Sequence, residues 1–217
     1  MSALETQHTM HVMHAMHAQP RVKLCGLRRM DDIAMANELN PDYVGFVFAE
    51  QSRRAISVQQ AIELKKALKP TVTVVGVFVD EPIDHVAQLL DSGVIDMAQL
   101  HGDEDESYID QLRSVSAQPI IQALKIRSAN DIAVANASNA DYVLLDSGAG
   151  TGEVFDWSVI RDITRPYFLA GGLNPTNVGH AVRALHPWAV DVSSGIETQG
   201  IKDFKKAAAF MAAVRGE

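Results

Sequence analysis

The chain has a single cysteine, Cys25, among 217 residues, so no disulfide can form within it and a reducing compartment is the expected setting. Positive charge is also scarce. Nineteen Lys and Arg stand against 27 Asp and Glu, a net charge of -8, which argues against the basic face that nucleic acid or an anionic membrane requires. No apolar run reaches the ~18 residues of a membrane span. The first residues, MSALETQHTMHVMHAMHAQP, lack the basic start and apolar centre of an export signal, and no Pro-, Gly- or Ser-rich stretch divides the rest. These absences predict a cytoplasmic, single-domain protein with a small-molecule partner; monomer and homodimer both stay open. An anionic ligand stays open, because a local cluster of donors can bind it against the global charge.

What is present is a regular alternation. Candidate strands are RVKLC (21–25), DYVGFVF (42–48), TVTVVGVFV (71–79), IDMAQL (95–100), PIIQALK (119–125), DYVLLD (141–146), YFLAGG (167–172) and WAVDVS (188–193). Between and after them, apolar residues recur at spacings of three and four, which predicts helices over 30–39, 58–68, 82–90, 104–115, 129–137, 157–163, 175–185 and 203–214. Ser57 reads as a helix cap, Asp103 with Glu106 as a capping box, and Asn174-Pro175 as a cap followed by proline at the first helical position. Eight such pairs predict one closed (β/α)8 TIM barrel of the α/β class over 21–217. An open doubly wound sheet is the alternative, but its glycine signature after the first strand is missing.

Residues 1–20 form a His/Met-rich extension with His8, His11, His14 and His17 three apart. Imidazole and thioether ligate soft metals, yet ligands on a chain end lack the fixed surroundings of a metal site. The extension is therefore read as a flexible tail, and no metal or cofactor is assigned.

In a barrel of this kind chemistry gathers at the C-terminal ends of the strands. Those ends carry Cys25, Phe48, Asp80, His101, Lys125, Asp146, Gly171 with Gly172, and Ser193 with Ser194. The two glycines precede a helix start, and Ser193, Ser194 and Gly195 follow the last strand, so backbone and hydroxyl donors could cradle an anion there. Each motif alone is an ordinary tight turn; together, on consecutive loops, they point to phosphate. Cys25 is either a small buried hydrophobe or a base at the mouth, with Lys23, Arg28 or Arg29 as candidate charged neighbours. Asp146 is either a proton donor or a loop-initiating aspartate. The glycine-rich stretch after it, with Gly148, Gly150 and Gly152, reads as a lid or a plain flexible loop. Arg53 and Arg54 could pair with a substrate carboxylate or simply be solvated. His101 is a ligand or proton carrier, beside an acidic run that suits a helix N-terminus.

In this order VKLCG, DYVGFVF, VGVFVD, AQLHGDE, LLDS, GTGEVFDW, LAGGLNP and VDVSSGIE resemble the phosphoribosylanthranilate isomerase family of tryptophan biosynthesis, over nearly everything from Val22 to the last helix. The resemblance implies an Amadori rearrangement of an N-linked aminoaldose phosphate to an aminoketose, with no metal or organic cofactor. It further implies Asp146 as general acid, Cys25 as general base and Arg54 as the holder of the anthranilate carboxylate. Gly171 and Gly172 after strand seven and Ser193 and Ser194 after strand eight would hold the phosphate; His101 and Gly195 are kept as substrate-binding candidates on their strand-end places. The chain departs from the pattern at Arg28 for a threonine, Arg53 for a proline and Glu153 for a lysine, which bears on affinity more than on reaction type.

Overall fold

The computed structural model describes residues 19–146 and 157–216. The histidine-bearing start of the extension and the loop with Gly148, Gly150, Gly152 and Glu153 lie outside them. Eight parallel strands close into a barrel in sequence order: β1 Arg21–Cys25, β2 Tyr43–Val47, β3 Thr73–Phe78, β4 Met97–Leu100, β5 Ile120–Lys125, β6 Tyr142–Asp146, β7 Tyr167–Ala170 and β8 Ala189–Val192. The seam is β1 on β8, with Lys23 opposite Asp191. The strands are covered on both faces, which is why they read as short continuous apolar runs rather than as alternating ones.

Seven α-helices surround the barrel among the described residues: α1 Met30–Leu39, α2 Val58–Ala67, α3 Ile83–Asp91, α4 Glu106–Val115, α5 Ala129–Ala137, α6 Val178–Leu185 and α7 Phe204–Arg215. Outward-facing Val44, Phe46, Phe78, Leu100 and Val190 pack against them in one continuous core. Inside the barrel Tyr43, Val75, Met97, Ile121, Leu144 and Phe168 fill the floor. Trp188 closes it from below, stacked on Tyr142 at 4.6 Å between ring centroids, with the Arg21 guanidinium 4.2 Å from its ring.

Three expectations about helices are corrected. The sixth is a 3₁₀ segment, Trp157–Asp162. Asp103 with Glu106 does not cap α4; Asp105 does, accepting from the Tyr108 amide. Asn174 starts a turn instead of a helix, because its Oδ1 accepts from both the amide and hydroxyl of Thr176, and α6 begins only after Asn177. A short hairpin of β9 Glu197–Thr198 and β10 Ile201–Lys202 had no counterpart among the sequence expectations. Phe48 belongs to the core, stacked on Phe78. No described helix is long and apolar enough to cross a membrane.

A repeated carboxylate device sets the lower rim. Asp42, Asp96 and Asp141 each stand directly before an even-numbered strand, and each accepts the first free amide of the strand before it. The bonds are Val22 N to Asp42 (2.9 Å), Val74 N to Asp96 (2.8 Å) and Ile120 N to Asp141 (2.8 Å). Replacing Asp42 by alanine orphans the amide of Val22, a residue only 2% exposed, and is expected to cost about 1–3 kcal/mol. Urea unfolding would measure that loss. Because Asp42 sits at the end away from the mouth, kcat should be unchanged.

Candidate active site

Strand alternation brings Lys23 and Cys25 to one face of β1, inside the barrel, with Cys25 at the upper rim. Gly45 of β2 is in register with Cys25, and a Cβ there would sit 2.6 Å from the sulfur. The glycine thus makes the seat for the thiol. Gly26 follows at φ 77° and is needed twice, for its backbone angle and because a Cβ would lie 2.4 Å from Arg54 Cδ. The arginine stem passes directly over this turn.

Cys25, Arg54, His101, Asp146, Gly171, Gly172, Ser193 and Ser194 line one cavity of about 490 Å³ at the mouth, together with Gln99 and Asp191. Gly171 and Gly172 have φ of 91° and 65°, a left-handed pair only glycine adopts readily. Asn177 Nδ2 donates to the Gly172 carbonyl at 3.0 Å and pins the turn. The Ser193 hydroxyl donates to the Cys25 carbonyl at 3.0 Å, tying the eighth loop to the first. Gly195 does not line the cavity. A Cβ there would fall 1.9 Å from the Leu173 carbonyl oxygen, so its part is to let the seventh and eighth loops touch.

Asp80, Lys125 and Arg53 also stay out of the cavity. Asp80, at φ 52°, accepts from the Asp103 amide. Glu104 turns inward, 9% exposed, and accepts from the amides of Asp80 and Gly102, both at 2.7 Å. Part of the acidic run is therefore a brace between the third and fourth loops. His101 Nε2 stands 3.7 Å from Asp146 Oδ2, while its Nδ1 is 2.8 Å from Gln99 Nε2. The Gln99 amide thereby holds the imidazole ring, with Nε2 on the side of Asp146.

Beside the cavity Glu197 gathers three cations. Arg54 reaches it through Nε (2.7 Å) and Nη2 (3.0 Å), Arg53 at 2.8 Å and Lys202 at 2.9 Å. Burial pushes the Glu197 carboxyl up, but hydrogen bonds and charge from Arg54 and Lys202 outweigh it and hold it down at about 2. Burial in turn lowers the Lys202 ammonium. The two departures on this side meet each other: Arg28 Nη1 donates to the Arg53 carbonyl at 3.1 Å. Arg29 faces away and pairs with Asp31, so of the three candidate neighbours of the thiol only Lys23 is placed beside it.

Sequence reasoning missed Gln99, Asp191, Glu197 and Lys202; of these Asp191 and Glu197 have partners far along the chain, Lys23 on β1 and Arg53 with Arg54 on the second loop. The period of two on β4 and β8 would have pointed Gln99 and Asp191 into the barrel.

A closed parallel barrel with ionisable side chains and tight glycine turns collected at one mouth defines a (β/α)8-barrel enzyme. The family model for N-(5'-phosphoribosyl)anthranilate isomerase matches residues 22–213, and the chain belongs to that family. An N-(5'-phosphoribosyl)anthranilate isomerase from Thermoanaerobacter sp. (strain X514) is 43% identical over 203 residues, 90% of this chain and 98% of the relative. The phosphoribosyl anthranilate isomerase of Thermotoga maritima superposes with a TM-score of 0.82 at 34% identity, covering 91% of this chain and 100% of its own. A further isomerase structure, TM-score 0.80 with the same identity and coverage, holds reduced 1-(o-carboxyphenylamino)-1-deoxyribulose 5-phosphate. The chain is an isomerase of tryptophan biosynthesis.

The depressed Glu197 gives a stability test. A carboxylate with a folded value of about 2 against 4.5 stabilises fully above about pH 4.5, and that contribution fades as pH falls towards about 2. Glu197→Gln should therefore melt below the wild type at pH 7, with the gap in Tm narrowing below about pH 4.5. A gap that stays constant down to pH 3 would show that packing, not charge, decides it.

Proposed function

We propose that the mouth cavity converts N-(5'-phosphoribosyl)anthranilate to 1-(2-carboxyphenylamino)-1-deoxyribulose 5-phosphate, with Asp146 as general acid and Cys25 as general base. The observation that carries this reading is that the two groups face one cavity from β6 and β1. The seventh and eighth loops stand between them on one side and Arg54 on the other. Asp146 gives its proton to the furanose ring oxygen while the anilino nitrogen lone pair pushes out the C1–O bond, leaving an open-chain Schiff base. The thiolate of Cys25 then removes the proton from C2, and those electrons move to the imine nitrogen. The resulting enaminol tautomerises to the ketone. Acid and base must reach different atoms of one substrate, so two strand ends in separate surroundings suit the task.

The ends of the substrate are held apart. Backbone amides of Gly171 and Gly172 and the donors of Ser193 and Ser194 take the phosphate. Arg54 takes the carboxylate; its Nε and Nη2 are engaged by Glu197, so the ligand meets Nη1. Anchoring both ends turns binding energy into orientation at C1 and C2. His101, held by the Gln99 amide, sets its Nε2 beside Asp146 and orients the acid. No metal or cofactor enters these steps, and the single thiol suits a reducing cytoplasm.

The test is the change in anthranilate-type fluorescence when protein is added to freshly formed phosphoribosylanthranilate. Cys25→Ser and Asp146→Asn should each lower kcat by about 10²–10⁴-fold while still binding the reduced product analogue. Binding without conversion by the unaltered chain would overturn the acid–base assignment.

A further inference from the structure

The interior of the barrel holds a charge pair that the mechanism above does not use. Lys23 is 0% exposed, and its Nζ lies 2.8 Å from Asp191 Oδ1 across the β1–β8 seam. Apolar floor residues lie below it. Above it is Cys25, two residues on along the same face of β1. A buried ion pair is poor value for stability, because desolvating two charges costs about what their attraction returns and apolar side chains of like volume usually do as well. Its position directly under the proposed base is the feature that needs a reason.

We propose that Lys23 is a positioning residue for the Cys25 thiolate, supplying the positive charge that the sulfur faces, and that Asp191 holds Lys23 in place while opposing the thiolate. The proposal rests on the reading of Cys25 as the base. The charged groups around the sulfur are Lys23 on β1, Asp191 on β8 and Lys202 on β10; β2 and β3 present uncharged Gly45, Val47 and Val77. Burial pushes the thiol up, Lys23 and Lys202 pull it down, and Asp191 pushes it up. Burial also works to lower Lys23, but Asp191 and Cys25 outweigh it and keep the ammonium charged. The three groups therefore act in opposite senses on one sulfur, and their substitutions should move it in opposite directions.

Because Cys25 is the only thiol in the chain, the rate of its alkylation by iodoacetamide against pH titrates that one group in the full-length protein. Lys23→Met should raise the midpoint by about one pH unit and slow alkylation at pH 7 about tenfold, with the acid limb of kcat/KM moving up alongside. Lys23→Arg should restore most of the wild-type midpoint. Asp191→Asn should move the midpoint down. The asparagine variant keeps the shape of the side chain and carries the test by itself if methionine at 23, which leaves Asp191 unpaired, fails to fold. A midpoint unmoved by Lys23→Met, or moved the same way by both substitutions, overturns the proposal. A midpoint that moves as expected while kcat/KM ignores it keeps the coupling of Lys23 to the thiol and removes Cys25 as the base.

Discussion

Closure of the sheet is the constraint on which everything else rests. A parallel strand at an open edge would leave amides and carbonyls unpaired, and pairing β1 with β8 removes both edges at once. That closure packs the lower interior with Tyr43, Met97, Phe168 and their neighbours. The upper interior is left to whatever the strand ends carry. The mouth thus lets polar side chains inside the barrel meet without the cost of full burial, and Cys25, His101 and Asp146 all stand there.

The loops around the mouth are locked to each other rather than to the strands alone. Glu104 braces the third loop to the fourth, Ser193 ties the eighth to the first, and Glu197 joins the second loop to the eighth through Arg53 and Arg54. Each link is a hydrogen bond to backbone or a charge-assisted pair, the kind with defined geometry. Groups that must keep their distances to a substrate gain more from such links than from packing, because a shift of about 1 Å at a reacting centre is costly.

Much of this was legible in the sequence. The eight strands stood out because Tyr43–Val47 and its counterparts are buried on both faces and end at turn residues. The strand-end rule gathers Cys25, His101, Asp146, Gly171 and Ser193 at the mouth from sequence alone, and one cavity holds all five. Boundaries set by local side-chain competition were misread: Asn174 hydrogen-bonds to Thr176 instead of capping a helix, and Asp105 displaces Asp103 as the cap of α4. Contacts between distant positions, such as Arg54 with Glu197 and Lys23 with Asp191, leave no periodic trace, and β9 and β10 are too short to show a pattern.

The aspartates beneath the strands divide the barrel in a way its smooth outline hides. Asp42, Asp96 and Asp141 stitch β1 to β2, β3 to β4 and β5 to β6, whereas the corresponding place before β8 is occupied by Trp188. The ring is therefore a series of two-strand units, three of them fastened locally and the last held by aromatic stacking on the floor. New chain ends introduced between units, with the old ones joined, leave every fastening intact, while ends introduced within a unit interrupt the helical connection that brings the aspartate to its amide. Permuted versions of this barrel should thus fall into two groups according to where the chain is opened, although the completed ring is the same in both.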